Sequence, residues 1–309
     1  MILTVTLNPA VDKTYTTGEL ITGHVNRMRT MMKIAGGKGI NVTKILNQYG
    51  HAVCATGFLG GYAGKFIEDY MKGKQVDCKF VQVEEETRSN MNILADNGYV
   101  TEILEPGPVI NEESQKEFLK QYEELLPSCE LVILSGSIGK GMPEDIYKTL
   151  IEIAEKKGIR VLLDTSGESL KKGIEAKPYL IKPNQKELEY IVGHKLSSKE
   201  AVLSAARALQ AAGIEKVIVS MGKNGLMSVS GEHIYCAKSR RIQTVNTVGC
   251  GDSVVASYAM SLISGDSEEE AIRKAAAISA ANATTIESAN IPMDTAEELY
   301  DAITVEELA

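Results

Sequence analysis

Short apolar runs alternate along this chain with segments whose apolar residues recur at helical spacing. Residues 131–135 (LVILS), 160–164 (RVLLD), 179–182 and 216–220 (KVIVS) predict strands, while 144–157 and 198–212 predict helices. That alternation is the signature of an α/β fold with a mostly parallel central sheet, flanked by helices on both faces. Such sheets bind ligands at the carboxyl ends of their strands, where Ser135, Ser137, Asp164, Lys182, Asn184 and Ser220 fall. A single Ser or Asp there is ordinarily a turn former, and it is the recurrence that marks this rim.

Two stretches break the alternation. Residues 12–17 with 26–34, and 88–95 with 99–105, read as successive extended segments, the second pair separated by the hairpin signal Asn97-Gly98. They predict a small β-sheet inserted in the α/β body, either a surface hairpin or a lid over the rim. Its adjacency to polar candidates favours the lid, which would exclude water from the chemistry. No repeat, low-complexity tract or linker divides the chain, so residues 1–309 are expected to form one unit, with lid strands from about 12–34 and 88–105.

Composition narrows the partners. Thirty-three basic against 41 acidic residues give a net charge of −8 with no basic cluster, so neither nucleic acid nor an anionic membrane is expected to bind. The five cysteines are scattered and form no C-x-x-C pair, and the four histidines are dispersed, which argues against structural zinc and for reduced thiols. With no membrane span and an opening Ile2-Leu3-Thr4-Val5-Thr6 that lacks a basic leader, a cytoplasmic location is expected.

The sharpest chemical signal is Thr247-Val248-Gly249-Cys250-Gly251-Asp252-Ser253, ahead of an apolar helix predicted from Val254 to Leu262. Gly249 and Gly251 allow a turn tight enough to gather amides at the helix start, where anions are attracted. Asp252 then reads equally well as a helix cap or as a base beside an anion hole, the arrangement phosphoryl transfer needs. A second glycine turn, Ala35-Gly36-Gly37-Lys38-Gly39-Ile40-Asn41, also opens a helix, and it reads either as a flexible turn with a solvated lysine or as a close approach to a ligand. No Gly-Lys pair is followed by Ser or Thr, which excludes a Walker loop, and no G-x-G-x-x-G follows the first strand.

From Thr6 to about Asn282 the chain resembles the PfkB, or ribokinase-like, sugar kinases. The resemblance rests on TLNPAVD (6–12), AGGKGIN (35–41), ETR (86–88), SGS (135–137), KPN (182–184), VSMG (219–222) and NTVGCGDS (246–253). It is strongest to the ketohexose-phosphate branch, which contains fructose-1-phosphate and tagatose-6-phosphate kinases, and it implies a three-layer ribokinase-like fold using ATP and Mg²⁺.

Position by position, the resemblance implies that Asp252 activates the acceptor hydroxyl and that Gly249, Cys250 and Gly251 form the anion hole. Asp12, Gly37 and Asn41 would hold the sugar, with Lys38 and Ser137 as further candidates. Arg88 would bind the phosphate already on the substrate, a contact suited to a guanidinium fork. Arg27, on the lid, would reach a phosphate in its own or a neighbouring subunit's site, since a homodimer through the lid is the family expectation. Lys182, Asn184 and Glu187 would serve ATP and its Mg²⁺, with Ser220, Gly222, Gly225 and Asn282 around the nucleotide.

Two positions depart from the family pattern. Cys250 stands where Ala or Ser is usual; it is read as a small packing residue, the alternative being a reactive thiol. Gly139-Lys140-Gly141 resembles the tagatose-phosphate group, whereas the other motifs occur in both groups, and fructose 1-phosphate is placed first. A kinase for an unphosphorylated sugar or nucleoside, or a non-catalytic regulator on the same fold, are the alternatives.

Overall fold

The computed structural model describes residues 1–308. Its strands are β1 (Ile2–Thr6), β2 (Ala10–Thr17), β3 (Thr30–Gly36), β4 (Val53–Gly60), β5 (Asp77–Val83), β6 (Arg88–Ala95), β7 (Val100–Leu104), β8 (Leu131–Ser135), β9 (Arg160–Asp164), β10 (Leu180–Ile181), β11 (Lys216–Ser220), β12 (Leu226–Ser230), β13 (His233–Lys238) and β14 (Thr304–Glu307). Ten of them form one sheet in the order β14-β13-β12-β11-β10-β9-β8-β1-β4-β5, and β3-β2-β6-β7 form a second. Every pairing from β11 through β5 is parallel, while β12, β13 and β14 add an antiparallel edge.

Period-two alternation sorts the core into two layers. On β8, Val132 and Leu134 face the helices Glu112–Leu125, Ile146–Glu155 and Lys199–Ala211, which contribute Phe118, Tyr122, Tyr147, Leu150 and Val202. Leu131 and Ile133 face the opposite layer, built from the helices Lys38–Gln48, Cys250–Ser264, Glu268–Asn282 and Met293–Ala302. Strands enclosed on both sides are apolar throughout, which is why β8, β9 and β11 are plain in the sequence.

The small sheet arises where expected, with one difference. β2 pairs antiparallel with β3 and parallel with β6, and β6 turns through Asn97-Gly98 into β7. β3, however, begins only at Thr30, so the expected strand from residue 26 is shortened. Asn26 supplies the reason: its side chain accepts from the Ile21 amide at 2.8 Å and donates to the Ile21 and His24 carbonyls at 2.9 and 3.0 Å, closing a loop in place of strand pairing. A third apolar cluster, including Val11, Ala35, Leu59, Ile67 and Met71, seats this sheet on the helix Gly61–Gly73.

Candidate active site

The helices Lys38–Gln48 and Cys250–Ser264 pack together and both begin at the carboxyl edge of the large sheet. The second starts earlier than the hydropathy pattern predicts, at Cys250 rather than Val254, because Gly249 makes the turn. Gly249 adopts φ +87° and caps the helix without any side-chain bond. A Cβ there would lie 3.1 Å from the Ala289 amide nitrogen and 3.3 Å from Asn282 Oδ1, so this position needs glycine on both conformational and spatial grounds. Asp252 is therefore not the helix cap; it lies inside the first turn. The Ser253 amide donates to Gly249 O at 2.8 Å, whereas among the described residues the amides of Gly251 and Asp252 find no acceptor. Two free amides at a helix N-terminus form an anion-binding cradle.

Asp252 is 5% exposed, and Asn41 Nδ2 donates to its Oδ2 at 2.8 Å. Burial raises its carboxyl to about 6; Asp164 reinforces the shift, while Lys38, Asn41 and Lys182 oppose it. The group is thus a carboxylate near neutral pH and basic enough to accept a hydroxyl proton.

Lys38 opens its helix half-buried and paired, rather than free in solvent. Its Nζ lies 3.1 Å from Asp164 Oδ1, which also receives Lys182 Nζ at 3.4 Å. Burial works against the Lys38 charge, but Asp164, Asp252 and Glu187 outweigh it and push its ammonium up. A Cβ on Gly251 would come within 3.1 Å of Lys182 Nζ, which puts that cation against the amide cradle.

On the other side, Asn90 Nδ2 donates to Asp12 Oδ1 at 3.0 Å. Gly36 lies so close that a Cβ there would meet Asp12 Oδ2 at 2.0 Å. Burial raises the Asp12 carboxyl, against the Asn90 bond, Lys44, Arg88 and the Gly37 amide. Across the site Asn8 Oδ1, Asn41 Oδ1, Asn90 Oδ1 and Asp164 Oδ2 are buried acceptors without a partner among the described residues. Such a set suits a ligand bearing several hydroxyl donors.

Arg88 stands beside it, with Nε and Nη2 donating to Asn8 O at 3.2 and 2.9 Å and Nη1 to Glu105 O at 3.0 Å. Two of its five N–H donors remain. Ser137 Oγ accepts from Asn8 Nδ2 at 3.3 Å. Arg27 stands apart, exposed in the loop ahead of β3 rather than on a strand.

The remaining candidates lie along the sheet edge. Asn184 and Glu187 form a reciprocal capping box, 2.9 and 2.8 Å, that opens the helix Gln185–Val192 and leaves Glu187 Oε1 unused by it. Ser220 bridges to Asn184, and Gly222 and Gly225 shape the tight turn after β11. Asn282 binds the glycine turn itself, donating to Val248 O at 2.9 Å and accepting from the Ala289 amide at 2.8 Å. Its Nδ2 is also 3.4 Å from Cys250 Sγ, and burial pushes that thiol up, so Cys250 is a protonated packing group at neutral pH.

Asp164, Asn8, Asn90 and Lys44 join the site without having been assigned roles in it. Asp164 and Asn8 were visible as a strand end and a motif member; Asn90 and Lys44 give no local signal. Among the described residues no cluster of three or more His, Cys, Asp and Glu side chains could hold a metal ion. A divalent ion here would have to bring most of its oxygens on phosphates and water, with Glu187 as a protein contributor.

A sequence model of the pfkB family carbohydrate kinases matches residues 4–296. Among solved structures, one described as a possible 1-phosphofructokinase from Thermotoga maritima is 29% identical, with 100% of this chain and 99% of that one covered and a TM-score of 0.92. Phosphofructokinase-2 from Escherichia coli, in complex with fructose-6-phosphate, is 27% identical over 97% of this chain and 98% of that one, with a TM-score of 0.87. A tetrameric inhibited form of the same Escherichia coli enzyme gives 29% identity over the same shares, 97% and 98%, and a TM-score of 0.89.

Proposed function

We propose, since the chain belongs to the pfkB family of carbohydrate kinases, that it transfers the γ-phosphoryl group of ATP to a ketohexose monophosphate, giving the bisphosphate. Fructose 1-phosphate is the first candidate acceptor. The observation that carries this reading is the buried carboxylate of Asp252, oriented by Asn41 at 2.8 Å and set beside two free helix amides and Lys182.

An acceptor hydroxyl at Asp252, whose carboxylate Asn41 orients, gives its proton to that carboxylate as its oxygen attacks the γ-phosphorus, and the bond from that phosphorus to the bridging oxygen breaks to release ADP. The amides of Gly251 and Asp252 and the ammonium of Lys182 meet the charge that develops on the phosphoryl oxygens. Lys38 and Lys182 keep Asp164 neutralised and hold the rim rigid between the two substrates. Glu187 would help hold Mg²⁺ brought with the nucleotide, and the ion would supply neutralisation of phosphate charge. The small sheet acts as a lid on a single kinase unit in the cytoplasm, in keeping with five unpaired cysteines.

The likeness to a possible 1-phosphofructokinase supports fructose 1-phosphate. Lys140, exposed beside Gly139 and Gly141 at the rim, favours tagatose 6-phosphate as the second reading. Comparison of kcat/KM for fructose 1-phosphate, tagatose 6-phosphate and fructose 6-phosphate decides among them.

Arg88→Met should raise the acceptor KM by about tenfold to a hundredfold, the worth of a charge-assisted phosphate contact, with less effect on the KM for ATP. An unchanged acceptor KM would instead support an unphosphorylated substrate. A protein that binds both ligands but releases no ADP would be a regulator on a kinase fold.

A further inference from the structure

Lys44 is the one lysine of the helix Lys38–Gln48 that the chemistry above leaves without a task. It is 4% exposed, and its hydrogen bonds go to neutral carbonyls rather than to a carboxylate, Ala35 O at 3.1 Å and Ser288 O at 2.9 Å. A buried ammonium held this way is costly, and a methionine of similar shape would fill the same space without the desolvation penalty. Stability alone does not account for it.

The two carbonyls belong to opposite halves of the site. Ala35 lies at the end of β3, immediately before Gly36 and Gly37 of the sugar pocket. Ser288 lies in the segment that holds the glycine turn: Asn246 Nδ2 donates to Ile286 O at 2.8 Å and approaches Ser288 Oγ at 3.4 Å, while Asn246 Oδ1 accepts from the Val248 amide at 3.0 Å. The neighbouring Ala289 amide donates to Asn282, which in turn donates to Val248 O. We propose that Lys44 is a positioning residue for phosphoryl transfer, its ammonium fixing the distance between the acceptor pocket at Gly36–Gly37 and the amide cradle at Gly249–Asp252. The inference rests on the kinase reading above.

The charge on Lys44 is itself conditional. Burial lowers its ammonium to about 8, against the attraction of Asp12 on β2, Glu287 on the Ser288 segment and Asp252 at the helix start, and with the repulsion of Lys74 beyond the helix Gly61–Gly73. Above that pH the group loses charge and a donor proton, so the tie between the halves weakens and turnover falls.

The test compares wild type, Lys44→Met and Lys44→Arg in ADP release with saturating ATP, Mg²⁺ and the sugar phosphate that the wild type accepts. Lys44→Met relieves the desolvation penalty but deprives two carbonyls of a donor, so its melting temperature should stay within about 4 °C of wild type, while kcat falls about tenfold or more, the penalty expected for a displaced reacting pair, with smaller changes in either KM. Lys44→Arg, which keeps charge and donors, should recover part of the loss. The wild-type kcat should fall reversibly as pH rises through about 8, and Lys44→Met should lack that limb. Wild-type kcat in Lys44→Met with the alkaline limb unchanged would overturn the proposal. Should neither variant fold, the wild-type profile decides alone, and a kcat that stays flat from about pH 7 to 9.5 overturns it. A wild type that releases no ADP is a different result, the failure of the kinase reading itself.

Discussion

Asp252 destabilises the fold that holds it. Its folded value of about 6 lies above that of a free carboxyl, so the folded chain binds the proton more tightly than the unfolded one. The resulting penalty sets in as pH rises past the unfolded value and is complete above the folded one. At about pH 7.5 it is on the order of 3 kcal/mol. Asp252→Asn should therefore melt higher than wild type near neutrality, lose that advantage in acid, and give up about 10²- to 10⁴-fold in turnover. Wild-type kcat should climb with pH through about 6, since only the carboxylate form accepts a proton. Thermal melts at two pH values and an ADP assay check all of this; an unshifted melting temperature with near-normal turnover would remove Asp252 from both roles. Several other groups at this scale were legible only in part. The sequence leaves Lys38 open between a solvated turn residue and a ligand contact, because its partner Asp164 lies 126 residues away and no local pattern announces such a meeting.

At the scale of elements, the helix Cys250–Ser264 depends on one backbone conformation. Gly249→Ala would force a side chain into φ +87° and against the Ala289 amide. A loss of about 1–3 kcal/mol in stability, read from denaturant melts, should accompany a larger loss in turnover as the cradle opens. A variant as stable and as active as wild type would mean that the turn is replaceable. The same glycines explain why the helix start was misplaced in the sequence, where a pair of them reads as a turn although Gly251 is helical. The parallel centre of the sheet was plain because β8, β9 and β11 are unbroken apolar runs. β4 was not, although it is buried along its whole length, because VCATGFLG interrupts its apolar residues with Thr56 and Gly57. Gly57 is there for contact: a Cβ would strike Thr6 O at 1.9 Å.

For the molecule as a whole, the exposed apolar residues concentrate on the small sheet and its approach. Met31 on β3, and Val100, Ile103 and Leu104 on β7, stand 58%, 42%, 46% and 60% exposed, with Tyr99 and Val25 nearby. An open apolar sheet of this kind favours association. Sedimentation at working concentration should show a dimer, and Leu104→Glu should dissociate it without unfolding the protomer; a wild-type monomer would remove the lid-to-lid arrangement.

The bond between Asn41 and Asp252 joins residues 211 positions apart. Translation therefore delivers the acceptor loop long before the proposed base. If the proposed roles hold, a chain still emerging from the ribosome carries the groups assigned to the sugar but not the one assigned to draw the proton. On the proposed mechanism turnover waits until the chain has been made through Asp252 and the bond to Asn41 has closed, and a fragment lacking either end of that bond should be silent.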